Sequence, residues 1–255
     1  PARRLLICGM HVHVGVASGE RAIAIINELT RTLPLFLALS SSSPYFESED
    51  SGLASARSKV FESLPTAGLP PQISDWFDFE RFMSTLLDAD CISSIREVWW
   101  DIRPHPDFGT VELRMCDATP TLRESVALAA LAQALVVWCN RRIDAGDLPA
   151  APREWTVREN RWLAGRYGVD AELIVEGPDG GVSRRPVREL VGELVSELRP
   201  ISDELGSTHR IDDLLAIVEG GSGTERQRRV VEGGGTLVDV VHHLARELAD
   251  DRPLP

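Results

Sequence analysis

The sequence predicts an α+β fold organised around an antiparallel sheet. Three observations carry this. Strand-like segments, with apolar residues alternating at period two, gather in the first half. Helical periodicity fills most of the second half. No regular strand–helix alternation joins the two halves, which argues against a doubly wound sheet or a βα barrel.

Residues 5–16 read as the first strand, apolar at its start and alternating through Val12 and Val14. Residues 20–39 read as a helix that Pro34 should kink or break. Residues 40–44 are a polar stop, and 44–56 an irregular loop rich in Ser, Asp and Glu. The stretch 64–73 holds Pro65, Gly68, Pro70 and Pro71 and cannot be regular. Residues 75–89 read as an amphipathic helix. Residues 95–117 read as a hairpin, with strands over 98–103 and 110–115 and a Pro- and Gly-containing connection over 104–109. Thr121 and Glu124 form a capping box after Pro120, opening a long buried helix to about Arg142. A loop over 146–152 is the one weak internal boundary. Helices follow over 153–166, 186–205, 208–219, 223–232 and 236–249, interrupted by a short apolar run at 171–175 and a turn at 177–181.

The 255 residues, 43% apolar, suffice for a sizeable core and are expected to form a single domain. A net charge of −12 disfavours nucleic acid and anionic membranes as partners. Cys8, Cys91, Cys116 and Cys139 have no metal-binding or redox spacing and read as buried free thiols. The longest apolar stretch, 126–139, is short for a membrane span, and no signal peptide opens the chain, so a cytoplasmic protein is expected. Pro1 leads almost at once into a strand-like run, which suggests a chain that starts partway through a larger protein.

Several constellations could carry chemistry. In Gly9-Met10-His11-Val12-His13-Val14-Gly15 the period of a strand puts His11 and His13 on one face, where two imidazoles can bind a metal or meet a phosphate. Glu112 and Arg114 share a face of the later strand, and Asp101 and Arg103 share one on its hairpin partner. Two acids and two arginines on one sheet surface suit Mg²⁺–nucleotide chemistry, a solvated charged face being the alternative. Arg57, in a polar stretch ahead of the proline-rich loop, could clamp a carboxylate. Asn160-Arg161-Trp162 and the glycine-rich run before Arg226 are weaker signals, and no Walker lysine motif occurs.

Taken in order, the 9–15 segment, Arg57 with Leu64-Pro65-x-x-Gly68-Leu69-Pro70, Trp100-Asp101-x-Arg103-Pro104-His105-Pro106, and Gly109-Thr110-Val111-Glu112-Leu113-Arg114-x-Cys116-Asp117 resemble the glutamate–cysteine ligase type 2 family. That family includes the YbdK-like carboxylate–amine ligases. Asn160-Arg161-Trp162 and Gly223-x-Glu225-Arg226-Gln227 fit it too. The resemblance implies a curved antiparallel funnel with helices outside, related to glutamine synthetase and the guanidino kinases. It implies that ATP, with Mg²⁺ or Mn²⁺, phosphorylates the γ-carboxyl of glutamate and that an amine, cysteine in the namesake reaction, attacks the acyl phosphate. By the family pattern His11 and Glu112 would be metal ligands, Arg114 would meet the γ-phosphate, and Arg57 would hold the amino-acid carboxylate. His13 and Arg103 would line the substrate cavity, with His11, Asn160 and Arg226 joining Arg114 around ATP. A homodimer would suit the family.

One departure stands out. Family members carry a Gly-x-Glu-Glu-Glu strand ahead of the His-x-His strand, and this sequence has none. A missing N-terminal segment or a second chain would have to supply it, and the chain alone is expected to bind Mg²⁺–ATP weakly. Two other readings compete: a metal-dependent hydrolase built on the His-x-His strand, and a non-catalytic ligase-like subunit.

Overall fold

The computed structural model describes residues 5–177 and 180–254; Pro1 and the middle of the 177–181 turn lie outside them. The first strand is shorter than its apolar run suggests: β1 is Val12–Gly15. Its pairing extends backwards, however, with Gly9 bridged to Asp117 and Ala118 N–H donating to the Cys8 carbonyl.

Ser18 caps α1 (Gly19–Leu29) by accepting from the Arg21 N–H. A single 3₁₀ turn, Thr30–Thr32, then separates it from α2 (Leu33–Ser40). Pro34 sits in the first turn of α2, where no N–H is required, so the interruption falls just before the proline. Both helices line the main core. The helical run 19–40 and the later helix Leu122–Ala145 are each long and apolar enough to cross a membrane, but 72% and 56% of their apolar windows are buried in the fold, as in core helices.

The loop after α2 is more ordered than its composition suggests. It holds a two-residue hairpin, β2 (Tyr45–Phe46) with β3 (Glu49–Asp50), and then α3 (Ala56–Glu62). The sequence pattern missed α3 because seven residues show too little periodicity; Ser55 nucleates it by capping the Ser58 N–H. Asp75 caps α4 (Trp76–Asp88), which carries a second apolar cluster of Phe79, Met83, Ile73, Val98 and Trp100.

The hairpin lies later in sequence than its pattern predicts. β4 is Ile102–His105, not 98–103, because Val98 and Trp100 are drawn into the α4 cluster. A 3₁₀ turn, Pro106–Phe108, with Gly109 at φ 61°, connects it to β5 (Thr110–Leu113). β1, β5 and β4 form one antiparallel sheet in that order. Val12, Leu113, Ile102 and Val111 turn one face onto α1 and α5 (Leu122–Ala145). The Thr121–Glu124 capping box opens α5, and Gly146 in the left-handed region closes it.

After the 146–152 loop come α6 (Glu154–Tyr167), the hairpin β6 (Glu172–Glu176) and β7 (Val182–Pro186), then α7 (Val187–Glu204), α8 (Thr208–Gly220), α9 (Gly223–Glu232) and α10 (Leu237–Asp250). One apolar cluster takes residues from both sides of that loop, including Leu37, Leu131, Leu163, Leu198 and Leu214. The arrangement is α+β with small antiparallel sheets. Cys116 and Cys139 are buried and burial pushes both thiols up to about 12, whereas Cys8 and Cys91 are exposed, contrary to the uniform burial expected.

Candidate active site

The face of the β1–β5–β4 sheet opposite the core is polar, and register decides what meets there. His13 pairs with Glu112, and Glu112 with Arg103, so the three side chains form a row across all three strands. The row beside it is Gly15, Thr110 and His105. His11 and Arg114 extend the face at the other end.

Glu112 is the hub. Arg103 Nε donates to its Oε2 at 2.7 Å, and Arg114 Nη1 donates to Oε1. His11 Nδ1 lies 3.1 Å and His13 Nε2 3.5 Å from the same Oε1. Glu112, Arg103 and Arg114 are all buried. Burial opposes ionisation of Glu112, but the hydrogen bonds from His11 and Arg103 and the charges of Arg114 and Arg103 outweigh it and hold the carboxyl well below its usual range. Burial and the neighbouring Arg103 charge lower Arg114. Desolvation is the main cause lowering His13, opposed by Glu112, so its imidazole is neutral at pH 7. Its Nδ1 lies 2.9 Å from Thr110 Oγ1. Two guanidiniums thus face a single carboxylate, and Arg114 Nε is buried without a partner.

Such a cluster is suited to an anion. It does not fit a divalent cation. Mg²⁺ demands several oxygen ligands, and here a single carboxylate faces two guanidiniums. Among the described residues no group of three or more His, Cys, Asp or Glu side chains is placed to hold a metal ion. The metal roles expected for His11 and Glu112 are therefore not supported by this donor set.

Asp101 also departs from expectation. It precedes β4 instead of lying within it, and its carboxylate turns to Arg161 of α6, with N–O distances of 2.5 and 3.1 Å. Arg161 also reaches Glu62 at 3.0 Å. The sheet face thus keeps one acid and two arginines, because a buried cation from another helix captures the second acid.

Arg57 projects from α3 to the far end of the same strands. Its Nη1 donates to the Met115 carbonyl at 3.0 Å and Nη2 to the Arg114 carbonyl at 3.1 Å, leaving Nε buried without a partner. It lies 3.8 Å from Asp117. Burial pushes Asp117 up, against the Ser42 N–H, the Arg57 charge and the Ser43 and Ser55 hydroxyls. Gly9 makes room for the guanidinium: a Cβ there would sit 2.2 Å from Arg57 Nη2. Gly9→Ala is therefore expected to cost about 1–3 kcal/mol, since the guanidinium is pinned on its other side. Urea unfolding measures this, and an unchanged midpoint would show that Arg57 is not held there.

Asn160 and Arg226 lie away from this face. The Asn160 amide donates to the Ile174 carbonyl and accepts its N–H, so it is engaged by the edge of β6. Arg226 is fully buried among Glu247 (2.6 Å), Glu124 (2.8 Å) and the Gly221 carbonyl (2.7 Å). Neither expected ATP contact is supported, because each polar group already has an internal partner. The sequence reading missed His105. Its spacing from Arg103 shows that the two share a face, but the predicted connection over 104–109 hid that.

The model of glutamate-cysteine ligase family 2 matches residues 1–243. The chain belongs to that family. It is 52% identical over 254 residues to a Frankia casuarinae protein named "Putative glutamate--cysteine ligase 2-1", covering 99% of this chain and 66% of that protein. The similarly named protein "Putative glutamate--cysteine ligase 2" is 48% identical over 252 residues in Thermobifida fusca and 44% identical over 248 residues in Gloeobacter violaceus, with 62% and 66% of those proteins covered. The chain spans just under two thirds of the length of these curated relatives. Membership of glutamate-cysteine ligase family 2 speaks against the hydrolase alternative. So does the β1–β5–β4 sheet, which is antiparallel, whereas a hydrolase of the βα-barrel kind with a His-x-His strand needs parallel strands. His209, His242 and His243, the remaining histidines, lie on α8 and α10.

Proposed function

We propose that this chain forms the anion-binding wall of an ATP-dependent carboxylate–amine ligase that makes a γ-glutamyl amide in the cytoplasm. The observation that supports it best is the convergence of Arg103, Arg114, His11 and His13 around Glu112, in a chain of this family. The wider family architecture, a funnel like that of glutamine synthetase, and a homodimer belong to the same reading.

ATP and a glutamate carboxylate are the substrates of the first half-reaction. The carboxylate oxygen attacks the γ-phosphorus, the bond to the β-phosphate oxygen breaks, and ADP leaves. The amine then attacks the acyl carbon, phosphate departs, and the amine loses a proton. In this reading Arg114 meets the charge that spreads over the transferring phosphoryl group and Arg103, held by Glu112 and by the Ile95 and Val98 carbonyls, adds positive charge behind it; these hydrogen bonds fix both before substrate arrives, so little reorganisation is needed. Neutral His13 can accept a proton in this wall. Arg57, with Nε free of protein partners, is the remaining candidate for the amino-acid carboxylate. A divalent cation supplies charge neutralisation to ATP in such chemistry, and its oxygen ligands must come from groups other than this donor set.

Hydroxylamine trapping tests the proposal. With ATP, Mg²⁺ and glutamate, the chain extended by the family's Glu-rich strand is expected to form glutamyl hydroxamate and to release phosphate stoichiometrically. Absence of hydroxamate across a panel of carboxylates would sink the ligase reading and favour a non-catalytic subunit.

A further inference from the structure

The hairpin tip carries an aromatic arrangement that the phosphate chemistry does not use. Phe108 folds back over His105 with the rings nearly parallel, 7° apart, at a centroid distance of 4.3 Å. His13 meets both rings edge-on at 5.6 Å. The backbone holds this fold-back: Pro106 opens the 3₁₀ turn and Gly109 closes it at φ 61°, a conformation unfavourable to other residues. His105 is only 7% exposed, whereas Phe108 is 67% exposed, so one ring face rests on the imidazole and the other stays open. His105 Nδ1 is buried without a partner.

Position makes this more than a surface phenylalanine. The His105–Thr110–Gly15 row adjoins the Arg103–Glu112–His13 row, and Arg114 lies beyond it. Two residues along a strand span about 7 Å, so a strip about 14 Å long has a flat aromatic at one end and guanidiniums at the other. A planar group joined to a polyanion matches that strip end to end.

We propose that Phe108, held flat on His105, is the stacking platform for the base of a nucleotide whose phosphates meet Arg103 and Arg114. This rests on the ligase reading and adds the orientation of its nucleotide: base at the hairpin tip, phosphates toward His11 and Arg114. Stacking of this kind tolerates any base, because every base has a π-face.

The test compares ATP with inorganic tripolyphosphate, which has the charge but no base, by NMR titration of the chain extended by the family's Glu-rich strand, at matched Mg²⁺. Wild type is expected to bind ATP about tenfold to a hundredfold tighter than tripolyphosphate. Phe108→Ala should bring ATP down to the tripolyphosphate level while leaving tripolyphosphate affinity and the melting temperature unchanged, and Phe108→Trp should restore the preference. Equal affinities in wild type, or a Phe108→Ala chain that keeps its preference for ATP, would overturn the stacking role while sparing the phosphate site. A parallel loss of both ligands together with a lower melting temperature would overturn it too, by showing a structural role. No binding of either ligand would overturn the nucleotide reading itself.

Discussion

Glu112→Ala is expected to be among the most damaging single changes in this chain, in stability and in chemistry together. It leaves Arg103 and Arg114 buried side by side with no counter-charge, and breaking a buried pair by removing one partner costs about 3–5 kcal/mol. For a chain of this size that corresponds to a fall of about 6–20 °C in melting temperature. Glu112→Gln keeps the shape and should lose less, yet its amide cannot accept from both guanidiniums, so hydroxamate formation should fall sharply in both variants. The pH dependence carries a sign that separates this from a packing defect. The folded carboxyl titrates below its unfolded value of 4.5, so its contribution is fully present above about pH 4.5 and is lost as pH falls through the lower folded value. Chemical denaturation from pH 7 down to pH 3 should therefore show a shallower acid loss in Glu112→Gln than in wild type. Parallel acid profiles, or an alanine variant within about 1 kcal/mol of wild type, would refute the hub role.

Arg226→Met should destabilise by a similar amount for the same reason in a different place. The arginine joins Glu124 of α5 to Glu247 of α10, and all three are almost wholly buried. Without it two carboxylates remain in the interior, at about 3–5 kcal/mol. Neutralising all three groups, by adding Glu124→Gln and Glu247→Gln, should recover much of that loss, since a buried network removed whole is far less harmful than one broken. At a temperature where the variant stays folded, tripolyphosphate binding should match wild type, because each guanidinium nitrogen already has an internal partner and the side chain is buried. A variant with normal melting but weakened ATP binding would instead mean that Arg226 reaches the nucleotide, as its sequence context suggested.

These two arginines show where sequence reasoning was strong and where it stopped. Arg114 could be placed because strand periodicity is local: Glu112 and Arg114, two apart, share a face whatever the rest of the fold does. Arg226 sits in a helix with a glycine-rich lead-in that looks like an anion site, and nothing local reveals Glu247, 21 residues away, or Glu124 on α5. Asp101 was misplaced for a like reason, since Arg161 lies 60 residues on. The capping box at Thr121 was legible because it closes within four residues.

The sequence by itself determined the α+β class, nearly all the helices, the family, and the imidazole and acid–guanidinium pairs on their strands. Those properties depend on period, capping and motif order, which are short-range. The tertiary structure alone decided that His13, Glu112 and Arg103 form one row, that Arg226 and Asn160 turn inward, and that Phe108 lies open on His105. The reason is physical: strand register and the pairing of buried charges bring together groups far apart in the chain, and the free energy of satisfying a buried charge outweighs any local preference for where it points.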